Sequence, residues 1–168
     1  MRKATKRQHW ALVNPIEHAA HQASTLSTAE WNAQLTPIIA ALEQVQRGQW
    51  DARENWNPLF YCLNRIESML HIKKASDHGL IADCQRAFVS ALDRRNATGA
   101  TSLNASELAA LKEMVGVYSE LLKEISRGDF QRACNHTDAN VNRIVHSKKT
   151  AGRTLRVGGV VIELEKRV

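Results

Sequence analysis

Clusters of basic residues at the two ends of the chain are the residues whose types and spacing best suit binding chemistry. The N-terminal cluster consists of Arg2, Lys3, Lys6 and Arg7, and Trp10 follows it closely. Lysine and arginine neutralise phosphate groups, and an indole ring beside them can stack on an exposed base. This combination is typical of proteins that bind nucleic acid with little regard for its sequence.

The second basic cluster consists of Lys148, Lys149, Arg153 and Arg156. Residues 143–168 hold seven basic and two acidic residues, for a net charge of +5, and residues 1–9 carry +4, whereas residues 10–142 carry −3. We therefore interpret the two clusters as a common surface for the phosphates of DNA or RNA. The alternative is that both ends are solvated and only maintain solubility.

Other pairs of reactive residue types are too sparse to define a catalytic or metal site. His18 and His21 are three residues apart, Glu67 and His71 are four apart, and Cys134 stands two residues before an imidazole. Two ligands do not make a metal site, and a cysteine nucleophile needs a base and an oxyanion site. The sequence also lacks a Walker loop, GxGxxG, GxSxG and HExxH. We therefore predict no enzymatic activity, no metal and no cofactor.

Helix start and stop signals predict a mostly α-helical protein, an antiparallel bundle of four to six helices. Asn14-Pro15-Ile16-Glu17 combines a capping side chain, a proline at the first helical position and an early carboxylate. Ser27 with Glu30 and Asn104 with Glu107 have the spacing of capping boxes. We divide the chain into a basic N-terminal arm (1–13), a helical bundle (14–147) and a basic C-terminal tail (148–168).

Three details of the helices are predicted from glycine, proline and turn residues. Pro37 predicts a kink or break near Thr36. The fourth helix is expected to end before Asn96, ahead of a glycine. Gly128-Asp129 predicts a turn into a sixth helix over about 130–146.

This last turn is also the closest approach to a helix-turn-helix in the sequence. The residues after it carry amide and guanidinium groups that can read base edges, namely Gln131, Arg132, Asn135, Asn140, Asn142 and Arg143. The helix before it is long and has a heptad-type seam. The alternative is therefore an ordinary hairpin of two bundle helices.

The C-terminal tail predicts a short β-hairpin rather than a helix. Gly158-Gly159 can form a tight turn that pairs Val157 with Val160 and Leu155 with Ile162. An isolated hairpin is only marginally stable in water, so it needs a surface of its own bundle or of another chain. This predicts an alternative function, a protein-interaction module such as an adaptor or inhibitor, or a homo-oligomer, formed through residues 153–165.

Composition and cysteine usage favour a soluble cytoplasmic protein without a membrane partner. Apolar residues make up 43% and charged residues 24% of the 168 residues. No apolar run is long enough for a signal peptide or a transmembrane helix. Cys62, Cys84 and Cys134 are odd in number and widely spaced, which indicates reduced thiols rather than a disulfide framework.

Residues 2–19, RKATKRQHWALVNPIEHA, resemble the start of a family of uncharacterised small helical proteins from proteobacteria. Members are sometimes labelled Fis-like transcription regulators, a label that implies association with DNA. The chain departs from a Fis-type protein because a hairpin is predicted where the C-terminal helix-turn-helix would lie. The resemblance implies an intracellular bacterial helical protein, and no functional residue is carried over from it. Our expectation is a non-enzymatic, nucleic-acid-associated or regulatory protein that contacts phosphates through its basic ends.

Overall fold

The computed structural model describes residues 14–147, 154–157 and 160–163, and these residues are mostly helical, as predicted. Six α-helices and one π-helical turn lie in the described part of the chain, followed by two short strands. The elements are α1 (Pro15–Ala23), α2 (Thr28–Gln46), the π-helical turn (Ala52–Trp56), α3 (Asn57–Lys73), α4 (His78–Thr98), α5 (Ala105–Glu124), α6 (Arg127–Ser147), β1 (Thr154–Val157) and β2 (Val160–Glu163).

The predicted helix starts at α1, α2 and α5 are confirmed. The side chain of Asn14 caps α1, with a proline at the first position of that helix. Ser27 with Glu30 and Asn104 with Glu107 both form reciprocal capping boxes. Each box satisfies amides that have no partner within the helix, so local sequence alone fixes where these helices begin.

Of the kink or break predicted near Thr36, the break is wrong, because α2 runs as one helix from Thr28 to Gln46. Pro37 is exposed, whereas Leu35 and Ile38 on either side of it are buried in the core. The proline removes one backbone bond on the solvent side. Packing of the inner face therefore outweighs that loss.

Two further helix boundaries differ from the prediction. Helix α4 runs on to Thr98, where Gly99 adopts a left-handed φ of 73° and its amide bonds the Arg95 carbonyl at 2.7 Å. Helix α6 begins at Arg127, so Gly128 is inside the helix and the turn is Ile125-Ser126. The Ser126 hydroxyl accepts a bond from the Asp129 amide at 3.1 Å, as an N-cap residue does.

Helix α3 is the central element of the bundle, since it packs against α2, α4, α5 and α6. Helix α6 packs against α3 and α1 rather than back along α5, so α5 and α6 are not an ordinary antiparallel hairpin. Side chains from α3, α4 and α5 fill the core at less than 2% exposure, among them Leu59, Ile66, Met69, Phe88, Leu111, Met114, Tyr118 and Leu122.

Strands β1 and β2 pair in antiparallel register, with Leu155 opposite Ile162 and Val157 opposite Val160. Gly158-Gly159, the predicted turn between them, lies outside the described residues, and the hairpin stays a prediction. In the described ranges 14–147, 154–157 and 160–163, every helix is too short or too polar to cross a membrane.

Alanine substitution of the two glycines inside α5 and α6 should change the free energy of unfolding by different amounts. A Cβ at Gly116 meets nothing within 4 Å, so Gly116→Ala should raise the free energy of unfolding by about 0.5–1 kcal/mol. A Cβ at Gly128 would lie 3.0 Å from Gln22 Oε1 and 3.3 Å from the Gln22 carbonyl oxygen. Urea unfolding of Gly128→Ala should therefore show a smaller gain or a loss, and an equal gain in both variants would contradict this packing.

Candidate nucleic-acid interface

The predicted phosphate-contacting residues lie almost entirely outside the described part of the chain. These residues are Arg2, Lys3, Lys6, Arg7, Trp10, Lys148, Lys149 and Arg153. Arg156 belongs to β1. The structure describes the helices next to these two segments. Helix α1 directly follows the arm, and α6 directly precedes the tail.

Helices α1, α2 and α6 meet at one junction, and Arg127 is its central side chain. The Arg127 guanidinium donates to the two carboxylate oxygens of Glu30 at 2.9 and 2.6 Å and also donates to the Ser24 hydroxyl. Its backbone amide bonds the Ser24 carbonyl at 2.8 Å, and Thr25 forms a bridge with Ser126. The end of α1 is thus fixed to the start of α6, and we call these contacts the α1–α6 junction.

The Glu30 carboxylate has two roles in this junction. It accepts bonds from the backbone and the hydroxyl of Ser27, which caps α2, and it binds Arg127. The hydrogen bonds from Arg127, and then those from Ser27, hold the pKa of the Glu30 carboxyl well below its ordinary value. The same contact raises the pKa of Arg127. Both groups are ionised at neutral pH, so the contact is a bidentate ion pair.

Helix α1 depends on the junction because it buries little surface of its own. None of its residues is buried, and the Ile16 side chain is 79% exposed. Gln22 lies close against Gly128, where the missing side chain lets the two helices approach. The position of Asn14, where the described part of the chain begins, is therefore set by the contacts at the other end of a nine-residue helix.

Polar groups hold α6 on α3. The Ser68 hydroxyl lies 2.8 Å from the Thr137 hydroxyl and 3.0 Å from His136 Nδ1, and Thr137 also donates to the Asn64 carbonyl at 3.3 Å. The rings of His71 and His136 stack with centroids 5.1 Å apart. Thr137 is 1% exposed, and its buried hydroxyl is satisfied by these bonds. Sequence reasoning missed Thr137, since a threonine in a polar helix gives no signal of burial.

The remaining sequence candidates are not brought together. Glu67 accepts a bond from Gln85 at 3.2 Å, and burial raises its pKa, while His71 stacks elsewhere. Burial also raises the pKa of the half-buried Cys134 thiol, which disfavours the nucleophilic thiolate. Within the described residues, no three His, Cys, Asp or Glu side chains are grouped as metal ligands.

Comparison with protein-family models, with curated proteins and with solved structures finds no match. The contacts of α1 and α6 are therefore the observations from which a function can be inferred.

Replacing Arg127 by alanine should loosen α1 while leaving the bundle folded. Removal of the guanidinium leaves Glu30 without its partner on α6. Ser24 then keeps its backbone hydrogen bond to Arg127 but loses its side-chain hydrogen bond. Hydrogen exchange of residues 15–23 should become severalfold faster, and exchange in α3 should not change. Arg86→Ala is the matched control, because Arg86 pairs with Asp83 on its own exposed helix surface. Unchanged protection of α1 in Arg127→Ala would show that the ion pair does not hold it.

Proposed function

We propose that this protein is a non-enzymatic, nucleic-acid-associated or regulatory protein that contacts phosphates through its two basic ends. The observation that carries the proposal is the α1–α6 junction. The helix after the basic arm and the helix before the basic tail are joined by Arg127, Glu30 and Ser24. The two helices to which the basic segments are attached are thereby linked to each other, although the segments are distant in sequence.

The lengths of α1, α6 and the arm allow the two basic ends to reach a common surface. Helix α1 has nine residues, or about 14 Å, and α6 has 21 residues, or about 32 Å. The 13-residue arm spans at most about 45 Å when fully extended. A duplex presents one negative charge per about 1.7 Å of its axis. Net charges of +4 and +5 on segments with this reach are enough to neutralise several phosphates at once.

The chemistry of the ends implies affinity without much sequence preference. Lysine and arginine contacts to phosphates carry no information about the bases. The helical body between the ends has a net charge of −3 and would be repelled by the same phosphates. Binding should therefore be oriented, with the two basic ends toward the nucleic acid and the acidic body away from it.

Reversing the charge at both ends should abolish binding. Wild-type protein, freed of co-purifying nucleic acid, should bind labelled duplex DNA, single-stranded DNA or RNA with a steep dependence on salt. The slope of log affinity against log salt should fall by about 0.9 for each duplex phosphate that a variant no longer neutralises. The variants carry glutamate at Arg2, Lys3, Lys6 and Arg7, at Lys148, Lys149, Arg153 and Arg156, or at both sets.

The control for charge alone is Lys112→Glu with Lys123→Glu, two exposed lysines of α5. These changes alter the net charge of the protein but lie on the helical body. Absence of binding at low salt, or equal binding by the variant reversed at both ends, would contradict the proposed function.

The alternative proposal is a protein-interaction module that uses the predicted C-terminal hairpin. The predicted hairpin would keep an outer edge on each of its two strands for further pairing. Deletion of residues 153–168 should then abolish association with a partner or a second copy, measured by light scattering, while helical circular dichroism survives. Association that persists after the deletion would exclude the hairpin as the interface.

A further inference from the structure

Helix α6 has two sharply different faces. Its inner face packs on α3 through small or half-buried residues, Phe130, Ala133, Thr137 and Val141. Its outer face is exposed and consists, apart from one alanine and one histidine, of Gln131, Arg132, Asn135, Asp138, Asn142 and Arg143. These residues span twelve helical steps, or about 18 Å.

From this face we propose that α6 enters the major groove of duplex DNA and contacts base edges. The inference rests on the proposed function, to which it adds a source of sequence preference. An α-helix fits the major groove, which is about 12 Å wide. Asparagine and glutamine amides match adenine, and arginine matches guanine, each through two hydrogen bonds. The outer face of α6 offers three amides and two guanidinium groups in one continuous strip.

The present partners of these side chains can be exchanged for bases at little cost. Gln131 donates to Asn135 at 3.0 Å, and Arg143 donates to Asn140 at 3.2 Å. These are exposed contacts within one helix, three or four residues apart, and such contacts contribute only a few tenths of a kcal/mol. The face is therefore available for binding without breaking the core.

One of the two carboxylates of α6 is paired with a neighbouring cation. Asp129 accepts from Arg132 and from the Ser126 hydroxyl, and these bonds lower its pKa. Asp138 is exposed on the outer face itself, so the repulsion of phosphates comes mainly from this one carboxylate.

The connection between α5 and α6 leaves this face uncovered. Only Ile125 and Ser126 separate the two helices, and Ile125 is buried at 1% exposure. Helix α6 turns away from α5 and packs on α3, and the outer face opposite α3 is exposed. A short turn followed by a helix with one exposed polar face is the arrangement that places a helix in a groove.

Both basic ends are attached to this helix, one directly and one through α1. The tail continues directly from α6, and the arm is attached through α1 and the junction at the start of α6. Phosphate contacts would fix the register and orientation of the protein on the duplex, and the outer face of α6 would read the bases.

The test is selection from a random duplex pool with the full-length protein, followed by affinity measurement for the selected and a scrambled sequence. The wild type should enrich a motif. In the triple variant Gln131→Ala, Asn135→Ala, Asn142→Ala, the ratio of selected to scrambled affinity should fall at least about tenfold, while scrambled affinity and salt slope stay unchanged. The matched control removes exposed amides from α2 by Asn32→Ala and Gln46→Ala and should keep the ratio.

Each other outcome is decisive. Thermal melting monitored by circular dichroism first verifies that both variants fold. Salt-dependent binding without an enriched motif, or a ratio that the triple variant retains, overturns the inference and leaves the proposed function standing. Absence of binding at low salt overturns both.

Discussion

The bidentate contact between Arg127 and Glu30 determines how α1, α2 and α6 are joined. Glu30 caps α2 and at the same time binds the first residue of α6, so one carboxylate links two helices, and Arg127 extends the link to Ser24 at the end of α1. The pair is partly shielded, with the Arg127 side chain 20% and the Glu30 side chain 43% exposed, which limits screening by salt. Helix α1 has no buried side chain to replace this anchor. Without it, the backbone bond at Ser24 and the bridge at Thr25 would be the main links of α1 to α6.

A second constraint is the way in which α6 is held on the bundle. Large apolar side chains build the interfaces of α3 with α4 and α5, whereas Ala133 and Thr137 are the fully buried residues in the part of α6 whose side chains the structure describes. The hydrogen bond between the Ser68 and Thr137 hydroxyls orients α6 on α3, because the apolar area buried between these two helices is small. An interface of this kind fixes one face of the helix and leaves the opposite, strongly polar face free. In our proposal this polar face and the two basic ends together meet nucleic acid, and the other helices of the body face away from it.

The sequence predicts those parts of the fold that depend on neighbouring residues. Capping boxes act within four residues, which is why the starts of α1, α2 and α5 are recognisable without a structure. Gly128 misled the prediction because its absent side chain serves contact with Gln22, more than a hundred residues earlier. The π-helical turn at Ala52–Trp56 places Trp56 against Trp50, Phe60 and Phe88, and no local signal predicts it. For the interface, composition reveals the charged ends, but the junction joins residues 97 apart in sequence.

The central claim is that the α1–α6 junction makes the two basic ends act together, and Glu30→Gln tests it most directly. This change removes a negative charge, so electrostatics alone predicts equal or tighter binding to duplex DNA. Loss of the ion pair instead frees α1 and lowers the effective concentration of the arm near the tail. We therefore predict weaker binding by Glu30→Gln than by Glu43→Gln, an exposed glutamate of the same helix. Equal or tighter binding by Glu30→Gln would contradict the claim.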